Sequence, residues 1–361
     1  MSTSLKVKKS SAQAVQDFIN YIKARKDGTI KSLRSKYTKL DSFLMGGFEL
    51  NTIVCISAMS GSGKSTISKT LRDSFHEKNK DMKFKTLVFN FELLAHQQVA
   101  RSVVSKTKIP LRKLLSVDAP LSDADYKGLE QLLLNMSRHN VTYIEEASTA
   151  DEMFRFILDF WETECREKKE EGVVVRENYT LLIEVDHALL TLGEQGDKEK
   201  DKIDRLMFAL IRVKKYIAAR GGSSISIVLS QMNREMMKLD RLSNPEFHIP
   251  NTSSLFGASS IEQACDYIIF CHIPATLQIS AYTSEKFPTK YFFNDKVYEL
   301  PYFHIAKNRS GERNVSFPLI NKLHFFDFDE MDSNIFKQLH ADFKASEFLQ
   351  IPTIKQPVLD L

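Results

Sequence analysis

The chain is 361 residues long, 43% hydrophobic and 27% charged, an ordinary globular mix able to bury a sizeable core. It has no apolar run of the about 18 residues that a membrane-spanning helix needs, and its N-terminal MSTSLKVKKSS lacks the apolar core of a secretory signal. The four cysteines (Cys55, Cys165, Cys265, Cys271) form no CxxC pair, which argues against a zinc cluster or disulfide framework and for a reducing compartment.

Net charge is +4, unevenly spread: residues 1–40 hold ten Lys/Arg against two Asp/Glu. A basic arm therefore precedes a mildly acidic body. Such an arm either touches nucleic acid or an acidic partner, or is a solvated terminus. Residues 1–11 are polar and basic. From Ala12 to Lys26, Ala14, Val15, Phe18, Ile19 and Ile22 recur at helical spacing, and Gly28 closes the helix. This stripe needs cover from the body or from another chain.

A buried strand is expected at 51–59, a Gly/Ser turn, then a helix over 64–76. A strand at 85–91 leads to a helix over 95–105. A helix over 122–138 follows, with Ser122 and Asp125 at capping-box-like spacing, then a strand at 141–145. Thr149 caps an expected helix reaching about Lys168. Further strands are read at 179–185, 224–230, 267–272, 302–306 and 314–319, with a helix over 202–219 between the first two. Residues 330–361 read as an acidic-polar helix and a Pro-containing tail. Alternating strands and helices predict an α/β fold: a mostly parallel twisted sheet with helices on both faces.

The sharpest local signal is Ala58-Met-Ser-Gly-Ser-Gly-Lys-Ser-Thr66, between an expected strand and an expected helix. It fits GxxxxGK[ST] with Ala58 in place of the first glycine. In this reading Ser60, Gly61, Ser62, Gly63, Lys64, Ser65 and Thr66 wrap nucleotide phosphates. Lys64 reaches the β/γ phosphates and the Ser65 hydroxyl ligates Mg²⁺. Asp186 ends an apolar strand, where a carboxylate holds Mg²⁺. Glu92 ends another and is a candidate general base for the attacking water. Gln231 follows the strand SISIVLS and faces the ligand crevice if that strand is parallel. Lys307 and Arg309, in Ala306-Lys-Asn-Arg-Ser-Gly311, are either a cationic surface turn or a finger that stabilises transition-state charge across a subunit boundary. Sequence order does not separate the two.

The order of these pieces resembles the ATPase domain of DnaB-like replicative helicases, within the RecA-like superfamily. The likeness rests on Tyr37-Thr-Lys-Leu-Asp41 with Gly46-Gly47, and on the phosphate loop Ala58–Thr66. It rests equally on Phe91-Glu-Leu93 with Gln97 and Arg101, and on Ile183–Leu190. Leu229-Ser-Gln-Met-Asn-Arg234 is similar to LSQLNR, Ser260-Ile-Glu-Gln263 with Asp266 to SIEQDAD, and Lys307-Asn-Arg309 with Gly311 to KQRNG. These seven segments span about residues 37–328. The resemblance divides the chain into an arm and linker helix (1–36), a RecA-like ATPase domain (37–328) and a C-terminal helix and tail (329–361).

The resemblance implies a ring hexamer that hydrolyses ATP or another NTP, with Mg²⁺, at subunit boundaries and moves on single-stranded DNA. It implies Lys64 and Ser65 on phosphate and Mg²⁺, Glu92 as base, Asp186 at the metal and Gln231 as γ-phosphate sensor. Lys307 and Arg309 would act on the neighbour's nucleotide. The helix of residues 12–26 would be the linker helix that docks on the adjacent subunit.

The family's usual helical N-terminal domain is not expected in this chain, nor docking of primase or a loader by the usual surface. The DNA loop falls on Leu255, Phe256, Gly257, Ala258 and Ser259, which carry no charge, and residues 192–202 would be a second pore-facing loop. A compact bacteriophage replication protein acting in the host cytoplasm fits these features. Gln356-Pro-Val-Leu-Asp-Leu361 is similar to peptides that dock on sliding clamps. Two other readings are a RecA-like recombinase filament and a non-unwinding ATP-switch scaffold of the replication machinery.

Overall fold

A computed structural model describes residues 9–193, 195–293 and 296–346. The clamp-like peptide at 356–361 and residues 1–8 of the arm lie outside the described residues. Nine strands form the main sheet: β1 (Thr52–Ala58), β2 (Phe84–Asn90), β3 (Val141–Ile144), β4 (Thr180–Asp186), β5 (Ser224–Gln231), β6 (Tyr267–His272), β7 (Tyr302–Asn308), β8 (Val315–Lys322) and β9 (Asp327–Glu330). Their order across the sheet is β9-β8-β7-β6-β1-β5-β4-β2-β3. The six strands from β6 to β3 are parallel, and β7, β8 and β9 pair antiparallel at one edge. The expected mostly parallel α/β sheet is therefore the observed one.

β1 shows why both faces are covered. Every residue of it is buried. Ile53 and Cys55 point into one apolar cluster, while Val54, Ile56 and Ala58 point into another. A strand that buries both faces needs an unbroken apolar run, which TIVCISA supplies. The first cluster is closed by α5 (Ala150–Phe160) and α6 (Glu199–Ala219) and the second by α2 (Lys64–Lys78). Other labelled helices are α1 (Ser11–Lys26), α3 (Ala95–Thr107), α4 (Asp123–Ser137), α7 (Ala258–Ala264) and α8 (Ser333–Ser346).

Several boundaries differ from expectation. The helix expected to reach Lys168 ends at Phe160 and passes into one wide π turn, Trp161–Cys165. Beyond it the chain turns through Gly172, at φ +83°, so that Lys169–Glu170 pairs with Val173–Val174. The helix expected at Lys202 begins at Glu199 and takes in the end of the 192–202 loop. Body packing begins at Leu33, which is buried and pairs with Phe48, and β9 straddles residue 328. Ser122 does cap α4, accepting from the Asp125 N–H. Among the described residues no helix is long and apolar enough to cross a membrane.

α1 stands apart. Ser10 and Gln13 cap it reciprocally, yet none of its residues is buried. Its expected stripe of Val15, Phe18, Ile19 and Ile22 is exposed.

Candidate nucleotide site

The site forms where parallel strands end. The loop after β1 carries Ser60 and Gly61 exposed at its tip and Ser62 buried beneath. Ser62 N–H donates to the Met59 carbonyl at 3.1 Å, which tightens the turn. Gly63 sits at φ +84° as the N-cap of α2, and no side chain caps that helix. The first N–H groups of α2, from Lys64, Ser65 and Thr66, therefore have no capping side chain and face outward as donors for an anion. Gly63 has a second reason to be glycine. A Cβ there would lie 2.5 Å from Phe328 and 2.8 Å from Leu323. The β8–β9 turn thus presses directly on the phosphate loop.

α2 is locked to β4 by a buried network. Arg72 donates to Glu184 at 2.9 Å and the Ser68 hydroxyl donates to the same carboxylate at 2.7 Å. Both charged side chains are only 3% exposed. Removing one member of such a pair typically costs about 3–5 kcal/mol. The lock holds the start of α2 beside the end of β4, and so places Lys64 and Ser65 near Asp186.

Asp186 is fully buried, and neither of its carboxylate oxygens finds a hydrogen-bond partner among the described residues. Burial pushes its pKa up to about 6, helped by Glu184, while Ser65 and Lys64 draw it back down. Burial lowers the Lys64 pKa, against the pull of Asp186 and Glu92. A buried carboxylate with open oxygens beside a serine hydroxyl is a fitting donor set for Mg²⁺, a hard cation that takes oxygen ligands.

Register brings the other groups in. Asn90 pairs with Asp186 across β2 and β4, and Phe91 N–H donates to the Asp186 carbonyl at 3.0 Å. Glu92 is therefore the first exposed carboxylate beyond the same edge. Ala58 pairs with Gln231, so that side chain stands beside the phosphate-loop strand. Phe256 N–H donates to the Gln231 carbonyl at 3.0 Å, and Met232 bridges Leu255. The expected DNA loop at Phe256, Gly257, Ala258 and Ser259 thus begins against the expected sensor. Gln97 caps α3, and Arg101 stacks over Phe326 at 5.0 Å.

Lys307 and Arg309 are not in this group. β7 runs antiparallel to β6, so its C-terminal end meets the start of β6 and of β1. Arg309 pairs with Asp266 at 3.0 Å and donates to the Gln263 carbonyl at 3.2 Å. Asp266 also takes the Ile53 N–H at 2.8 Å and Lys214 at 2.9 Å. Lys307 donates to the Glu262 carbonyl. From Ile53 to the phosphate loop is the length of β1, about 16 Å. Neither cation reaches the phosphate loop of its own chain.

Two features escaped the sequence reading. His187, after Asp186, lies in the fields of Lys64 and Glu92, and burial lowers its pKa to about 4. A cavity of about 530 Å³ is lined by Tyr291, Phe293, Tyr298, Lys322, His324 and Phe325 among others. Leu323, between the lining residues Lys322 and His324, packs against Gly63 of the phosphate loop. The signal was the aromatic run His324-Phe-Phe-Asp-Phe328, which leads from β8 into β9.

A glycine-bearing loop on a central parallel strand, an uncapped helix behind it and carboxylates on neighbouring strand ends define a P-loop protein of RecA-like fold. The family model of the DnaB-like helicase C terminal domain matches residues 32–329, and the chain belongs to that family. Among solved structures it is similar to one described as an ATPase domain, with TM-score 0.69 and 16% identity over 90% of this chain and 100% of that one. It is also similar to a DnaB-like replicative helicase described with its interactions with primase, with TM-score 0.66 and 16% identity over 91% of this chain and 68% of that one. At such identity these show the fold. No curated protein sequence matches the chain.

Proposed function

We propose that the chain is a helicase motor that hydrolyses ATP or another NTP at boundaries between copies, translocates on single-stranded DNA and unwinds duplex. The observation that carries this reading is the split site. Lys64, Ser65, Glu92, Asp186 and Gln231 gather at one end of the parallel sheet, while Arg309 is half-exposed at the other. A finger so placed serves a neighbour's nucleotide. In this mechanism the α2 N–H groups and Lys64 bind the phosphates, Glu92 orients and deprotonates water, and Gln231 reads the γ-phosphate. Ser65 and Asp186 would hold Mg²⁺, which would neutralise phosphate charge when bound.

Assembly has surfaces to use. α1 exposes an apolar stripe with Lys23, Arg25 and Lys26 in its last turn. α4 exposes Tyr126, Leu133 and Leu134 beside Asp123, Asp125 and Glu130. In a ring of identical chains these two faces, opposite in charge, can cover each other. Primase, a loader and a sliding clamp remain candidate partners.

The aromatic cavity beside the phosphate loop is read as the nucleobase pocket. Stacking on an aromatic ring is worth about 1–3 kcal/mol by alanine substitution. Phe325→Ala should raise the KM for nucleotide about tenfold with kcat nearly unchanged, in steady-state turnover assays. An unchanged KM would place the base elsewhere.

The motor reading is tested by nucleotide turnover with and without single-stranded DNA, alongside mass by light scattering. DNA-stimulated turnover in an assembly near six copies is the expected result. Turnover indifferent to DNA would favour the switch scaffold, and open filaments on DNA would favour the recombinase.

A further inference from the structure

His187 occupies a place in the site that the motor reading leaves without a role. It follows Asp186 directly at the end of β4. Asn90 pairs with Asp186 where the two strands end, and Phe91 N–H donates to the Asp186 carbonyl at 3.0 Å, so the segment that carries Glu92 leaves the sheet alongside the one that carries His187. The His187 ring is partly buried and lies within the electrostatic fields of Lys64 and Glu92. Its Nδ1 is buried without a hydrogen-bond partner among the described residues. An unpartnered polar atom inside a site is costly unless something in the working state satisfies it. Glu92, by contrast, is exposed on the segment after β2, where a glutamate has several rotamers to choose from.

We propose that His187 is a positioning residue: an imidazole N–H donates to the Glu92 carboxylate and holds it toward the water that attacks the γ-phosphate. The role asked of the ring is hydrogen bonding. The proton taken from water goes to Glu92, and no proton passes to or from the ring. A general base that must find its geometry unaided loses rate; misplacement by about 1 Å can cost on the order of 100-fold. The inference rests on the motor reading, because it assumes that Glu92 is the base.

The test is steady-state nucleotide turnover by the full chain and by His187→Ala, His187→Asn and His187→Gln. Nucleotide affinity and melting temperature are measured on each. In His187→Ala, kcat should fall about 10- to 100-fold, while KM, nucleotide affinity and melting temperature stay near those of the unaltered chain. Asn and Gln place an amide N–H near where the ring's Nδ1 and Nε2 sit, so at least one of them should recover most of kcat. No loss in His187→Ala overturns the inference. So does loss in all three variants alike, or a fall in kcat accompanied by lost nucleotide binding, which would mark a structural role. In each of those cases the unaltered chain still turns over nucleotide, so the motor reading is not what failed. Absence of turnover in the unaltered chain, with ATP or GTP and with or without single-stranded DNA, overturns that reading and this inference with it.

Discussion

Lys64→Ala should abolish nucleotide turnover while leaving the fold intact. The lysine stands at the first position of α2, where the helix's uncapped N–H groups and the loop after β1 converge. Its charge interacts with those of Asp186 and Glu92. Removing a single donor aimed at developing charge commonly costs about 10²–10³-fold in rate. Loss of the phosphate-loop lysine adds loss of ground-state phosphate binding, so turnover should fall below detection. Stability is a separate matter. Burial opposes the charged form of Lys64, and among the described residues no ion pair to it is formed, so its removal should not lower the melting temperature. Lys64→Arg is the sharper control. It keeps the charge but replaces a compact ammonium with a planar fork, and should also lose turnover. Turnover within a few-fold of the unaltered chain in either variant would remove the phosphate loop from the mechanism.

Much of this site is legible in the sequence because its parts are local. The phosphate loop is contiguous, and the strand and helix that frame it announce themselves by apolar run and periodicity. Asp186 and Gln231 each end a readable strand and Glu92 follows one, and parallel strands send their C-terminal ends to one edge of a sheet. What the sequence hides is pairing across long separations. Phe328 and Leu323 press on Gly63 from the far end of the chain, and only the β8–β9 turn brings them there. The Arg72–Glu184 lock reads as two unrelated charges on a helix and a strand until register joins them. Tyr291, Tyr298 and Phe325 share a cavity by way of a hairpin with no strong pattern of its own. Even the break after Phe160 is not audible in the periodicity. It follows from the wide turn at Trp161–Cys165, whose indole and thiol are fully buried.

The register sets Arg309 at the opposite end of the sheet from its own phosphate loop, and its variant carries the strongest expectation about assembly. Arg309→Ala should keep nucleotide binding and lose turnover by about 10³-fold or more, the range seen for fingers that stabilise phosphoryl-transfer charge. The fold should tolerate it. The arginine side chain is 53% exposed, and an exposed ion pair contributes little to stability. Its partner Asp266 still holds the Ile53 N–H and Lys214, so no buried carboxylate is left alone. The distance argument then makes a prediction that mutation of one chain alone does not. If Arg309 works about 16 Å or more from its own phosphate loop, it works on a neighbour. Subunits carrying Arg309→Ala have an intact base, and subunits carrying Glu92→Gln have an intact finger. Each population alone should be inactive. Mixed in one assembly, some boundaries pair an intact Glu92 with an intact Arg309, and turnover should reappear in proportion to their number. A verified mixed assembly with no recovery would return Arg309 to the role its ion pair already gives it, a brace that ties β7 to the start of β1.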